Sequence, residues 1–288
     1  VIANVTDKDL ASASGNTLVT VNNVAPSGVT LTATPSTINE DGLTTIAGSF
    51  SDPGTLDTHS VVISWGDSSA DTTFSLPATV LTFNAEHRYL DNRPSDAPYT
   101  VTATVTDKDS ASASGNTLVT VNNVAPSGVT LTATPPTINE NGFTTITGNF
   151  SDSGVRDTHT VVISWGDGSS DTISLGAGAL IFDSTHKYLD NRPSDASYTV
   201  STTVTDKDGG SGSGSTAVTV NNAAPIVDAG VDQIVGVGQV VNVNATFADP
   251  GTLDTHTATI NWGDGTAVEA GTVNQLAKTV TGTHTYTS

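Results

Sequence analysis

Apolar and polar residues alternate with a period of two along much of this 288-residue chain. In Tyr99-Thr100-Val101-Thr102-Ala103-Thr104-Val105-Thr106, the residues Tyr99, Val101, Ala103 and Val105 share one face and threonines fill the other. Side chains of a strand alternate between its faces, so the segment predicts a half-buried antiparallel strand with hydroxyls outward. Val61, Ile63 and Trp65 alternate in the same way and stop at Gly66-Asp67. Turn formers such as Asp52-Pro53-Gly54, Asp91-Asn92-Arg93-Pro94 and Gly166-Asp167-Gly168 separate such runs. About seven strands and no helix fit into each hundred residues, which predicts an all-β chain of two-sheet sandwiches.

The pattern repeats. Val5-Thr6-Asp7-Lys8-Asp9 recurs at 105–109 and at 204–208. Phe50, Phe150 and Phe247 correspond, as do Trp65, Trp165 and Trp262, and His87, His186 and His284. Self-similarity at a fixed period is the mark of a tandem array. Short segments containing Ala-Pro, around residues 21–26, 121–126 and 220–225, divide it. The expected organisation is the last two strands of a preceding module at 1–23, whole modules at 24–123 and 124–222, and an incomplete module at 223–288. Short linkers with a proline are stiff, so the modules are expected to stack in an extended array, each adding about 35–45 Å.

The two partial modules are complementary: residues 1–23 carry the strand types that 223–288 lacks. One expectation is a window on a longer repeat polypeptide. The other is a set of subunits that complete each other's sandwiches, because an open sheet edge and half a core invite pairing.

Charge narrows the partners. Nine Lys and Arg stand against 29 Asp and Glu, a formal net of −20. A polyanion repels nucleic acid and anionic lipid, and it draws divalent cations. With no apolar run long enough to span a bilayer, membrane insertion of this segment is not expected. There is no cysteine, so core burial and any bound metal must hold the modules together.

Trp-Gly-Asp-Gly at 165–168 and 262–265, with Trp65-Gly66-Asp67-Ser68, resembles the signature of the polycystin-type (PKD) domain. Phe50-Ser51-Asp52-Pro53-Gly54 before it, the His-x-Tyr strand after it and the closing Val-Thr-Val-Asn-Asn extend the likeness over nearly the whole chain. Ser68 and Asp152-Ser153-Gly154 depart from it. The resemblance implies immunoglobulin-like sandwiches used as extracellular spacers or adhesion modules.

The strongest candidate chemistry is calcium binding. Asp7 and Asp9, Asp107 and Asp109, and Asp206 and Asp208 flank a lysine in a turn before each closing strand. The modules end in Asn22-Asn23, Asn122-Asn123 and Asn221-Asn222, and Glu40 and Glu140 come early in the modules that follow. This order is similar to the calcium-binding junctions of cadherin-like repeats, and Ca2+ takes six to eight oxygen ligands. A weaker candidate is the loop pair Asp52 with Asp57, repeated as Asp152 with Asp157 and Asp249 with Asp254. His59, His87 and their copies suggest a metal site or triad, but identical histidines in every module with no strained nucleophile favour packing. Asn4, Asn149 and Asn244 begin glycosylation-type triplets, a frequent pattern in so Asn- and Thr-rich a chain.

Together these features predict a non-catalytic stalk or filament at a prokaryotic cell surface. It would associate end to end with itself or with adjacent repeats, and with surface polysaccharide or other surface proteins. The alternative is a set of accessory polysaccharide- or matrix-binding spacers in a larger secreted hydrolase.

Overall fold

A computed structural model describes residues 1–287. By its contacts the chain divides into two compact units, residues 1–124 with 153–155, and residues 125–152 with 156–287.

In the first unit, β1 (Ile2–Thr6) and β2 (Ser12–Asn16) form an antiparallel hairpin whose residues are all exposed. Eight strands follow: β3 (Ser27–Thr34), β4 (Thr37–Asn39), β5 (Gly42–Ser51), β6 (His59–Ser64), β7 (Thr72–Leu76), β8 (Thr82–Tyr89), β9 (Tyr99–Asp107) and β10 (Ser112–Asn122). They make a three-stranded sheet, β3-β5-β8, and a five-stranded sheet, β4-β10-β9-β6-β7. The predicted alternation is realised on β9, where Tyr99, Val101, Ala103 and Val105 are buried. Val61 pairs with Val105 and Ile63 with Ala103. Ile46, Val61, Ile63, Trp65, Val101, Val119 and Val121 fill the space between the sheets. Each such side chain contributes about 1.5–3 kcal/mol on full burial. Gly48 is needed for this packing, because a Cβ there would stand 2.2 Å from the Phe83 ring.

The second unit begins with the same arrangement. Its strands are β11 (Ser127–Thr134), β12 (Thr137–Asn139), β13 (Phe143–Ser151), β14 (His159–Ser164), β15 (Ser170–Leu175), β16 (Ile181–Lys187), β17 (Tyr198–Asp206) and β18 (Ser211–Asn221). They form β11-β13-β16 and β12-β18-β17-β14-β15 around Trp165.

The last five strands differ. β19 (Ile226–Asp228), β20 (Val240–Ala248), β21 (Ala258–Ile260), β22 (Glu269–Asn274) and β23 (Thr279–Thr285) form one sheet in the order β19-β20-β23-β22-β21. β22 bonds to β23 here, which joins the counterparts of strands that lie in separate sheets in the earlier repeats. Its buried cluster is small: Ala245, Phe247 and Val280. Among the described residues the chain is all-β, with single 3-10 turns at Pro94–Asp96 and Pro193–Asp195. No helix among them is long and apolar enough to cross a membrane.

Candidate cation-binding clusters

The first aspartate of each Asp-Lys-Asp turn builds the turn itself. Asp107 Oδ1 accepts the N–H groups of Asp109 and Ala111, both at 2.9 Å, and so shapes the β9–β10 connection. Asp206 does the same with Asp208 and Gly210, and Asp7 with Asp9 and Ala11. Such Asx bonds are what a short acidic side chain offers a turn.

The loop aspartates meet that turn. Asp52 Oδ1 accepts the N–H of Gly54 at 2.7 Å, and its Oδ2 lies 2.8 Å from Nε2 of the buried His59. Oxygens of Asp52, Asp57 and Asp107 lie within 4.8 Å of one another, as do those of Asp152, Asp157 and Asp206. The two candidate sites of the sequence, the turn and the loop, are therefore one cluster in each of these repeats. In both, the lysine of the turn supplies a cation: Lys108 Nζ is 3.0 Å from Asp57 Oδ1, and Lys207 Nζ is 2.7 Å from Asp157 Oδ1. Each lysine also touches the next aspartate, Asp109 or Asp208. Asp157 is fully buried, its Oδ2 has no hydrogen-bond partner among the described residues, and burial pushes its carboxyl above the ordinary value.

The linkers join these clusters differently from the sequence expectation. Asn23 Nδ2 donates to Asp107 Oδ2 at 2.8 Å, so the linker meets the turn of the following repeat. Asn22, Asn23, Asp57, Lys108 and Asp109 line one cleft of about 340 Å³. Asp7 and Asp9 stay in an exposed turn with Lys8. Glu40 sits at the far side of its own repeat, where Oε1 accepts the N–H of Asn92 at 3.2 Å and Oε2 that of Val124 at 3.0 Å. The reason is the register: β4 runs parallel to the end of β10, with Asn39 beside Asn122, so the next residue must lie against the outgoing linker. Glu140 repeats this with Asn191 and Ala223, and β12 pairs with Asn221 in the same way.

Sequence reasoning missed a second anchor. Asp96 Oδ1 accepts Asn92 Nδ2 at 3.0 Å and the N–H of Asn123 at 3.1 Å; these bonds hold its carboxyl below the ordinary value. Asp195 does the same for Asn191 and Asn222. The recurrence of Asp-Asn-Arg-Pro-Ser-Asp at 91–96 and 190–195 was the available signal.

In a third cluster the side chain paired with a carboxylate is a histidine, His256, whose Nε2 lies 2.7 Å from Asp249 Oδ2. Oxygens of Glu140, Asp249 and Asp254 lie within 4.8 Å of one another. They surround Gly251, where a Cβ would stand 2.5 Å from Asp254 Oδ2 and 2.8 Å from Glu140 Oε2. Three carboxylates converging on a cradle free of side chain fit a hard, oxygen-seeking cation such as Ca2+.

The second set of histidines closes the tryptophan turn. His87 Nε2 lies 2.8 Å from Asp67 Oδ2, Ser69 Oγ donates to Asp67 Oδ1 at 2.5 Å, and the His87 ring stacks on Trp65 at 4.4 Å. Ser69 Oγ also lies 3.4 Å from His87 Nε2, the same nitrogen that faces Asp67, whereas a hydroxyl–imidazole–acid relay uses the two opposite ring nitrogens. The arrangement recurs at Asp167, Ser169 and His186, and at Asp264, Thr266 and His284.

Residues 222–288 match the family model of the PKD domain. The two preceding repeats carry the same tryptophan turn and Asp–His pairs, set there in two-sheet β-sandwiches. Among solved structures, the tetra-tandem repeat in the extending region of a large adhesion protein matches with a TM-score of 0.48 and 16% identity, covering 99% of this chain and 72% of that one. The chicken CNTN1 FN1–FN3 domains match with a TM-score of 0.24 and 8% identity, covering 75% of this chain and 76% of that one. No curated protein matches the sequence.

Proposed function

We propose that the chain is a non-catalytic extracellular structural repeat, a stalk of PKD-like sandwiches at a prokaryotic cell surface, with module boundaries near residues 24, 124 and 223. The observation that supports this reading is the pinning of the linkers. Glu40 and Asp96 bind the N–H groups of Val124 and Asn123, and Glu140 and Asp195 bind those of Ala223 and Asn222. Side chains of the preceding sandwich thus hold the first amides of each linker and shorten its free length, and a short linker suits a spacer. The histidine and aspartate pairs serve the same end, since each locks a turn in every repeat.

Calcium belongs to this proposal at Glu140, Asp249 and Asp254, where it would add to the single positive charge that His256 brings to Asp249. At Asp57 and Asp157 a lysine ammonium already does so. The polysaccharide-binding alternative asks for exposed aromatic rings, and Phe143 is the one that the described residues offer.

Small-angle scattering and electron microscopy of the chain test the stalk. Straight rods of constant length are expected, and a broad spread of bent particles would overturn it.

A further inference from the structure

In the repeat at 24–123, β10 pairs antiparallel with β9 as far as Val119, opposite Tyr99, and that ladder ends there. Residues 120–122 pair instead with β4, in parallel, with Thr120 opposite Thr37, Val121 opposite Ile38 and Asn122 opposite Asn39. Thr120 N–H donates to Ser36 O at 2.9 Å and Glu40 N–H to Asn122 O at 3.1 Å. Ile38 and Val121 are buried. Just beyond, the carboxylates of Asp96 and Glu40 accept the N–H groups of Asn123 and Val124. Glu40 therefore holds the departing chain twice, by its own N–H at Asn122 and by its Oε2 at Val124.

The next repeat does the same. β12 runs parallel to the end of β18, Thr219 N–H donates to Pro136 O at 3.0 Å, and Glu140 N–H donates to Asn221 O at 3.1 Å. Glu140 Oε2 accepts the N–H of Ala223.

The direction of the strands decides how such a pair carries load. A pull on the chain before β3 reaches β4 from its N-terminal side, and a pull on the outgoing linker reaches β10 from its C-terminal side. In a parallel pair these pulls oppose each other along one axis, so β10 leaves only by sliding past β4. Sliding strains the flanking bonds and uncovers Ile38 and Val121 together, whereas a hairpin pulled at its open end parts one bond at a time. Forced unfolding is governed by the rate of crossing that barrier and not by equilibrium stability.

We infer that β4, the end of β10 and Glu40 form a tension clamp, whose sliding is the step that resists unfolding when the chain is pulled. β12, β18 and Glu140 form the second. The inference rests on the reading of the chain as a stalk, and it names the element that carries load in each sandwich.

Single-molecule force spectroscopy tests it, with the full chain held at constant tension between handles on its termini. Glu40→Ala removes bonds to a charged group at the barrier, so one of the two sandwich dwell times is expected to shorten about tenfold or more. Tyr89→Phe weakens the same sandwich away from the clamp. Its bond is intact when the clamp slides, so both dwell times are expected to stay as in the parent. The chain has no cysteine, so a handle can also be placed on Asn116→Cys, at an exposed residue of β10. Force then leaves before residue 120, the parallel pair carries none, and the dwell time is expected to fall by a similar factor. Circular dichroism checks that each variant is folded, and if Glu40→Ala is not, the Asn116→Cys handle decides alone. A dwell time unchanged by that handle would overturn the inference, as would equal shortening by Tyr89→Phe. Straight rods in scattering from the same samples would then leave the stalk reading standing.

Discussion

The hydroxyl of Tyr89 donates to the main-chain carbonyl of Trp65 at 2.9 Å, from the end of one sheet of the sandwich to the end of the other. Tyr188 and Tyr286 make the same bond to Trp165 and Trp262, at 2.8 and 2.9 Å. Both partners in the first two repeats are buried, so Tyr89→Phe and Tyr188→Phe each leave a buried carbonyl without its donor. The expected loss is about 1–3 kcal/mol of stability, read by denaturant unfolding. Tyr286→Phe, at a partly buried bond, is expected to cost less.

That bond was half legible in the sequence. Trp65 and the His-x-Tyr strand recur in every repeat, and the alternation of Val61, Ile63 and Trp65 reports a buried face directly. What lay hidden was everything set by pairing between distant strands. Glu40 looks like a residue of the preceding junction until the parallel register of β4 and β10 puts it against Val124. Asp57 looks separate from Asp107 until β6 and β9 bring His59 opposite Asp107. The β22–β23 pairing has no signal in the sequence, since the same segments pair otherwise in the earlier repeats.

Lys207→Met is expected to destabilise the second sandwich. It leaves the buried Asp157 carboxylate without the ammonium 2.7 Å away. Breaking a fully buried pair costs about 3–5 kcal/mol; with Lys207 30% exposed, about 1–3 kcal/mol is expected near neutral pH. The sign with pH follows from Asp157, whose carboxyl is raised by burial. A raised acid binds its proton more tightly in the folded state, so the charged form destabilises the fold above that value. The loss in Lys207→Met should therefore shrink as pH falls through the folded value, and Asp157→Asn should restore much of it. An equal loss at neutral and acid pH would count against this account.

His256 carries the opposite dependence. Its Nε2 lies 2.7 Å from Asp249 Oδ2 and its Nδ1 3.0 Å from Gln275 Oε1. The Gln275 amide is oriented by donating to the His256 carbonyl, so both ring nitrogens face acceptors and the imidazolium is favoured. The bonds to Asp249 and then Gln275 raise its value above 6.5. A raised histidine contributes stability that is fully present below 6.5 and is lost as pH rises through the folded value. Trp262 fluorescence during thermal unfolding should show a melting temperature that declines on the alkaline side of neutrality, and His256→Gln should flatten that decline.

Glu140→Gln separates two roles of one side chain. Gln keeps an oxygen for the Ala223 and Asn191 amides, so the linker anchor is largely retained. It removes one of the three charges converging with Asp249 and Asp254. Without divalent ions the variant should be as stable as the parent or more so, because like charges at this separation repel. With millimolar Ca2+ the parent should gain melting temperature and the variant should gain less, since a hard cation prefers carboxylate to amide oxygen. The measurement is a melting curve of both chains in chelator and then in excess Ca2+. Identical behaviour of the parent in the two conditions would remove calcium from the junction and leave Glu140 as a linker clamp alone.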